Sequence, residues 1–363
     1  MSDTNSNSLL NNDELKAPAS STEHDKLADS GMVSTALAKP KRDLAPLILV
    51  PLLALVALPL VGDVSTWLTL SLAGLAMGMV IFIIASGLTL IFGLMDVMNF
   101  AHGAFIASGA FVASMLVAPL LAWTESDSTL LNLAVLAIAV LGAMLVTGVI
   151  GLLFERIIIR PVYGQHLKQI LITMGGMIVA EQVLTMIWGA EQIPFPLPTM
   201  LKGSIVIGET LIEKYRLFAV VIGLLVLIGM LFILNRTKLG LLIRAGVENP
   251  EMVESLGYRI RRLFLLVFAA GSACAGLGGV MWGLYKETVS TAMSAELMVT
   301  VFIVVIIGGL GSVGGCFIAS LLLALCANYA GFLAPKFALI SHIVLMILVL
   351  LWRPAGLYVL GRK

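Results

Sequence analysis

Residues 67–94 read WLTLSLAGLAMGMVIFIIASGLTLIFGL and contain no charged side chain. A helix needs about 20 apolar residues to cross the ~30 Å hydrocarbon layer of a bilayer, and this stretch exceeds that requirement. The rest of the chain has a similar character, because 60% of its 363 residues are apolar and only 12% are charged. Soluble domains carry about 25% charged residues. The sequence therefore predicts a membrane protein.

Polar breaks divide the chain into about ten apolar segments, of which 298–310 and 338–352 are short for a full crossing. We predict an all-α fold, a polytopic membrane helix bundle of about 8–10 transmembrane helices that includes broken or short segments. The segments are 44–61, 67–94, 104–123, 130–154, 170–189, 217–234, 263–284, 298–310, 316–333 and 338–352.

The first 43 residues differ from the rest. They hold seven Asp/Glu and five Lys/Arg among many Ser, Asn and Ala, with hardly any large apolar side chain. Such a composition cannot bury enough apolar surface to fold, so we predict a disordered cytoplasmic tail over 1–43. The apolar run 44–61 begins too late for a signal peptide, and we predict an extra N-terminal membrane anchor.

The basic residues predict the orientation, because cytoplasmic loops carry an excess of Lys and Arg. If the N-terminus lies inside, 17 of the 22 Lys and Arg fall on the cytoplasmic side. Both termini are therefore predicted to be cytoplasmic. The net charge of +1 excludes a strongly basic nucleic-acid binder.

The predicted cytoplasmic loop 235–262 encodes a short helix with both ends marked. Asn249 is a good N-cap, Pro250 suits the first helical position and Glu251 sits near the positive end of the helix dipole. Gly257 can adopt the left-handed conformation that ends a helix.

On the helix predicted over 250–256, Met252, Val253 and Leu256 are three or four residues apart and form one apolar stripe at a wet surface. A helix this short is not stable alone. It rests on the bilayer or its own bundle, or it docks into a groove on a cytoplasmic partner. The residues alone leave both interpretations open.

Residues 95–103, which read MDVMNFAHG, separate two apolar segments. Asp96, Asn99 and His102 are spaced three apart, so a helical turn would align them. Ionisable groups at membrane depth face protein or water, so we predict that these residues and Gly103 mark a helix break or a translocation path. A solvated cytoplasmic turn is the alternative.

Residues 308–315, which read GGLGSVGG, form a second break. Transporters often interrupt corresponding segments of two halves near the substrate pathway, and close helix packing by small residues is the alternative. The glycines that we assign to this break are Gly308, Gly309, Gly311, Gly314 and Gly315.

Glu181 and Gln182 lie in the middle of the segment 170–189. A charged residue at the bilayer centre costs about 2.5–3.5 kcal/mol on insertion scales, so this carboxylate needs a partner, a proton or a cavity. Three interpretations stay open. The carboxylate is an interhelical hydrogen-bond anchor, a residue of a subunit interface or pathway, or a proton-coupling group.

No residue pattern indicates catalysis or a bound metal. The chain lacks the P-loop pattern G-x-x-x-x-G-K-[ST], and we predict no ATPase site and no catalytic residues. Asp96, Asn99 and His102 are a poor zinc set. The three cysteines lie in apolar segments and are predicted to be buried hydrophobes. No cofactor is predicted on this chain.

Four ordered blocks carry a family resemblance. They are GLTLIFGLM at 87–95 with NFAHG at 99–103, Glu155-Arg156 with Arg160-Pro161-Val162, the segment 244–257, and 308–315 with WRPAGL at 352–357. Together they resemble the LivH-type permeases of branched-chain amino acid ABC transporters. The likeness covers residues 67–361, and it implies that this region is an ABC importer permease domain.

The resemblance implies a multi-pass protein of the bacterial inner membrane that pairs with a related, LivM-type permease. It also implies two cytoplasmic ATPase subunits, which hold ATP and Mg, and an extracytoplasmic binding protein that delivers the substrate. The helix 250–256 then becomes the coupling helix that enters a groove on an ATPase.

The substrate class and the energy source have alternatives. Branched-chain or other small neutral amino acids are the default substrates by resemblance, and the family also includes importers of urea and short amides. From another class, a stand-alone secondary transporter would couple transport to protons or sodium through Asp96, His102 or Glu181.

Overall fold

The structure is a computed structural model that describes residues 45–248 and 250–358. Within these ranges the chain folds mainly into α-helices. Their bounds are α1 (Ala45–Val61), α2 (Val64–Met95), α3 (His102–Val117), α4 (Thr129–Phe154), α5 (His166–Trp188), α6 (Lys214–Arg236), α7 (Lys238–Glu248), α8 (Pro250–Ser255), α9 (Ile260–Lys286), α10 (Met293–Gly308), α11 (Val313–Leu333) and α12 (Ala338–Trp352).

Short helical turns extend two of the long helices. Those at Ala118–Leu120 and Leu121–Thr124 lengthen α3, and those at Glu155–Ile159 and Arg160–Val162 lengthen α4. With these turns included, seven helices are long and apolar enough to cross a membrane, namely α2, α3, α4, α5, α6, α9 and α11. The helices α1, α10 and α12 are apolar but shorter. The predicted all-α membrane bundle is confirmed.

Two small sheets were not predicted. Strands β1 (Ile193–Pro194) and β4 (Thr288–Val289) pair antiparallel, and β2 (Ser204–Ile207) forms a hairpin with β3 (Thr210–Glu213). Three of the four strands lie in the connection between α5 and α6. These strands are too short to show the alternating pattern from which strands are predicted.

The predicted anchor 44–61 corresponds to α1, and Leu44 and the tail 1–43 lie outside the described residues. α1 turns through Gly62 into α2, where the Asp63 carboxylate accepts a hydrogen bond from the Thr66 N–H at 2.7 Å. The indole N–H of Trp67 donates to the carbonyl of Ala54 at 2.7 Å, which fastens α1 to α2. Whether α1 acts as an anchor stays a prediction.

The centre of the bundle is built from α2, α3 and α9, and glycines let their backbones approach closely. A Cβ on Gly279 would lie 2.0 Å from the carbonyl oxygen of Ile106, and one on Gly109 would lie 2.4 Å from the Cα of Gly276. Such distances exclude any side chain at these positions. The central helices are therefore held in fixed positions by backbone contact.

The helix α3 begins inside the bundle. Its first residue, His102, lies with its imidazole Nε2 at 3.2 Å from the carbonyl oxygen of Ile84. Because Ile84 precedes the end of α2 at Met95 by about three turns, the segment 96–101 must return into the bundle beside α2. This segment is not helical apart from a turn at its end, and Val97, Asn99 and Ala101 are buried.

The helix α10 begins at the same place. A Cβ on Gly103 would lie 2.3 Å from the carbonyl oxygen of Ser294, in the first turn of α10. The preceding segment 287–292 joins α10 to α9, just as 96–101 joins α3 to α2. Ile91 and Ile84 contact Gly271 and Gly278, so α2 and α9 run antiparallel. The two helix–break–helix units are therefore inverted relative to each other, an arrangement known in transporters.

Candidate functional site

The loop 235–262 contains two helices where the sequence analysis predicted one. α7 follows α6 after a single residue, and the guanidinium of Arg244 donates to the carbonyl of Leu234 at 2.6 Å. This carbonyl belongs to the last turn of α6, where carbonyls accept no hydrogen bond from within the helix. Arg244 therefore caps α6 and ties α7 to it. The sequence analysis missed α7, although its apolar residues recur at helical spacing.

The C-terminus of α8 has the predicted geometry. Gly257 has φ +87°, its N–H donates to Glu254 O at 2.9 Å, and the Tyr258 N–H donates to Val253 O at 3.3 Å. These two bonds are those of a Schellman motif. Pro250 and Glu251 occupy the first turn of α8, as predicted, whereas Asn249 lies outside the described residues and its role as N-cap stays a prediction.

The prediction that the apolar stripe of α8 is exposed is wrong for one of its three residues. Met252 and Leu256 are 50% and 67% exposed, but Val253 is only 1% exposed. Val253 is therefore buried in its own subunit, where α8 contacts α7 and, less extensively, α9. Tyr258, which is 52% exposed, lies three residues after the end of α8. We call the exposed residues Met252, Leu256 and Tyr258 the coupling patch.

The break at 96–101 does not align its polar residues as predicted. Asp96 ends α2 in the left-handed conformation, and its carboxylate lies 3.9 Å from Nε2 of the exposed His166. The Asn99 side-chain oxygen accepts a hydrogen bond from the Ala101 N–H at 3.1 Å. The segment is not helical at 96–99, and Asp96 lies beside the exposed His166 whereas Asn99 and His102 are fully buried.

Asn99 and His102 instead belong to a buried polar centre with Ser294. All three side chains are fully buried, and among the described residues no partner satisfies Asn99 Nδ2, His102 Nδ1 or Ser294 Oγ. The sequence analysis missed Ser294, because only the tertiary fold brings the start of α10 to Gly103. No group of three or more His, Cys, Asp or Glu in the described ranges could hold a metal.

The glycines at 308–315 interrupt the helices as predicted, and their surroundings are tightly packed. α10 ends at Gly308, Gly309 and Gly311 have positive φ, and α11 starts at Val313 after the N-cap Ser312. A Cβ on Gly309 would lie 2.4 Å from Tyr358 O, and one on Gly315 would lie 1.8 Å from Gly308 O. A Cβ on Gly314 would meet no atom within 4 Å. The observed contacts favour close packing.

Glu181 and Gln182 lie on α5, the least buried of the long apolar helices. Only Gln169, Thr173 and Leu184 of this helix are buried. Gln182 is exposed and Glu181 is partly exposed, and no described residue forms an ion pair or side-chain hydrogen bond with the Glu181 carboxylate. An interhelical anchor within this chain is therefore not observed. The two polar groups face outward amid apolar residues.

Comparison with known proteins identifies the family to which the chain belongs. The model of the family described as "Branched-chain amino acid transport system / permease component" matches residues 70–351. The chain belongs to this family. The predicted resemblance is therefore confirmed, and the match covers the bundle from α2 to α12.

Curated relatives of this permease carry consistent names. The "High-affinity branched-chain amino acid transport system permease protein BraD" of Pseudomonas aeruginosa is 30% identical over 80% of this chain and 94% of its own. LivH of Escherichia coli K12 is 27% identical over the same shares. LivM of that organism is 26% identical over 78% of this chain and 69% of its own. No solved structure matches the permease.

Proposed function

We propose that this permease is a subunit of an ABC importer that carries branched-chain amino acids into the cytoplasm. The family and the names of the relatives support this substrate class. The chain itself performs no catalysis in this proposal. Two partner ATPase subunits bind ATP and Mg, and an extracytoplasmic binding protein delivers the amino acid to the inner membrane.

The coupling patch is the observation that carries the mechanism. Three exposed apolar side chains on and just after a short helix with a Schellman C-cap, at the end of the bundle where basic residues concentrate, suit a groove on a cytoplasmic partner. Both chain termini would lie on this same cytoplasmic side.

The contacts of the loop indicate how a movement of α8 reaches the membrane helices. α8, on which Val253 is buried, contacts α7 and α9, Gly246 of α7 packs on Ile260, and Arg244 ties α7 to α6. A displacement of α8 by the ATPase would therefore move α6 and α9 together. Such coupling requires that ATP bind the two states of the assembly with different affinity.

The second permease subunit is expected to cover α5. Glu181 and Gln182 are costly if they face lipid, and they acquire partners if another protein or the translocation path lies against this helix. LivM of Escherichia coli is similar to this chain over 78% of its length, which supports a related partner of similar fold.

A stand-alone transporter driven by protons or sodium would need its ion-binding residues to lie along a pathway through the subunit. The structure places Asp96 beside the exposed His166, His102 in the buried centre and Glu181 on the outer face of α5. These three environments do not form one pathway within the subunit. This arrangement favours the ATP-driven importer.

Proteoliposomes test the proposal. The assembled transporter with its binding protein is expected to accumulate leucine, isoleucine or valine only when ATP reaches the ATPase side. The permease alone, in vesicles with a proton or sodium gradient, should accumulate none of them. Gradient-driven uptake by the permease alone would contradict the proposal, and preference for urea or amides would contradict its substrate class.

A further inference from the structure

A cleft of about 560 Å³ lies where the end of α4 meets the start of α9. Four arginines and one carboxylate line it, together with apolar and aromatic side chains. The lining residues are Glu155, Arg156, Arg160, Tyr163, Ile260, Arg261, Arg262, Phe264 and Leu265.

The charges that line the cleft are not balanced among the residues that the structure describes. The carboxylate of Glu155 accepts a hydrogen bond from the Tyr163 hydroxyl at 2.9 Å. Burial and the neighbouring Glu155 carboxylate raise the pKa of Tyr163 above its usual range, so this hydroxyl keeps its proton and goes on donating. No ion pair joins any of the four arginines to a carboxylate in the part of the chain that the structure describes. The cleft therefore holds an excess of positive charge.

The inner wall of the cleft is apolar. Ile260 is buried, Phe264 and Leu265 are partly buried, and the Phe264 ring lies 6.0 Å from the ring of Tyr163. A small hydrated anion does not need such a wall. An amphipathic anion gains from both the wall and the guanidinium groups.

A stripe of exposed aliphatic side chains leads along α4 to this cleft. One occurs at every fourth position, so they form a continuous stripe that winds gradually around the helix and its extension. They are Leu141, Leu145, Val149, Leu153 and Ile157. Arg156 and Arg160 flank the last of them. An acyl chain lying along the stripe would therefore place its headgroup among the arginines.

We propose that this cleft binds the phosphodiester headgroup of an anionic phospholipid, whose acyl chains lie along the exposed stripe of α4. Arg156 and Arg160 contact the phosphate from α4, and Arg261 and Arg262 contact it from α9. Basic clefts between membrane helices on the cytoplasmic side suit this class of lipid.

The bound lipid would also act on the coupling loop. Arg261 and Arg262 line a second, adjacent cleft of about 490 Å³ that contains Glu254, Gly257 and Tyr258. A lipid that fixes the positions of these arginines therefore also stabilises the adjacent C-terminus of α8. We expect ATP-driven transport to be faster in bilayers that contain anionic phospholipid.

Quantifying the phospholipid retained by the purified, assembled transporter tests the proposal, and this readout needs no substrate. Each basic residue near an anionic lipid surface contributes about a fivefold gain in affinity, so the double variant Arg156→Gln/Arg160→Gln should retain about 25-fold less phosphatidylglycerol and cardiolipin. The matched control Arg236→Gln/Lys238→Gln removes the same charge from the same end of the bundle, outside the cleft, and should retain as much as the wild type.

Other occupants predict different results. If inorganic phosphate displaces the retained lipid as effectively as an anionic phospholipid does, the cleft is a site for free phosphate and the proposal is wrong. The proposal is also wrong if the double variant keeps its lipid but loses the ATPase subunits, because the arginines then contact a protein.

A measurement on the wild type covers the case in which the double variant does not fold. A photoactivatable phosphatidylglycerol should label peptides from 155–163 and 260–265 more strongly than a photoactivatable phosphatidylcholine of the same acyl length. Equal labelling by the two lipids would overturn the proposal.

Discussion

The centre of the bundle and α5 are both apolar, yet they pack in opposite ways. In the centre, Gly109 meets Gly276 and Gly279 meets Ile106 at distances that exclude a side chain. On α5 few residues are buried, and a Cβ on Gly175 would meet no atom within 4 Å. Gly87 and Gly103 make equally close backbone contacts, so the sequence blocks at 87–103 belong to a rigid scaffold within one subunit. The exposed polar residues of α5 fit the interface that we propose for the second subunit.

The largest effect is expected from filling a glycine contact in the centre. Gly279→Leu places a side chain against the backbone of α3, which has no room to move, and should cost at least about 3 kcal/mol of stability. The permease should then be absent from the membrane or lose its folded state in mild detergent, as measured by membrane yield and thermal unfolding.

Gly175→Leu is the matched control on α5. The same side chain meets open space there, so yield and apparent Tm should stay close to wild type. Equal damage by the two variants would show that the difference in packing between the centre and α5 does not hold.

A smaller effect is expected from the polar pair on α5. Glu181→Leu removes a group without a side-chain partner in the described part of its own subunit, so the permease should fold normally. If the carboxylate meets the second subunit or the path, its loss leaves a polar group unpaired at a cost of about 1–3 kcal/mol, and uptake should fall by about tenfold.

Radiolabelled leucine uptake by the assembled transporter measures this effect, with Ile178→Leu as the control on the same helix. Unchanged uptake by Glu181→Leu would remove Glu181 from both the subunit interface and the path.

The smallest effect is expected for a single hydrogen bond. The hydroxyls of Tyr329 and Ser71 lie 2.7 Å apart and join α11 to α2 inside the bundle. Tyr329→Phe should lower stability by about 1 kcal/mol, seen as a lower apparent Tm in detergent. The Thr185 hydroxyl on α5 donates only to the Glu181 carbonyl of its own helix, so Thr185→Val should lower the stability less than Tyr329→Phe does. The reverse order would contradict the assignment of α5 to a less constrained region.

Much of the fold was predictable because its signals are local. The lengths of the apolar runs located the helices to within a few residues, and Gly257 marked the end of α8 through a preference that one residue carries. The family blocks also identified the permease family.

The remainder depends on tertiary structure. Spacing placed Asp96, Asn99 and His102 on one helical face, but the chain between them is not helical because it returns into the bundle beside α2. The burial of Val253 depends on how α8 packs within the folded loop, and Ser294 reaches the buried centre only because α10 begins there. Local spacing contains no information on such contacts.

In the proposed mechanism, α8 transmits the ATPase cycle to the membrane helices through the coupling patch. ATP hydrolysis by the assembled transporter, with and without substrate-loaded binding protein, tests it most directly in the variant Met252→Asp. We predict that this variant reaches the membrane at wild-type levels and loses the stimulation of ATP hydrolysis by the loaded binding protein. Normal stimulation in the Met252→Asp transporter would contradict the claim.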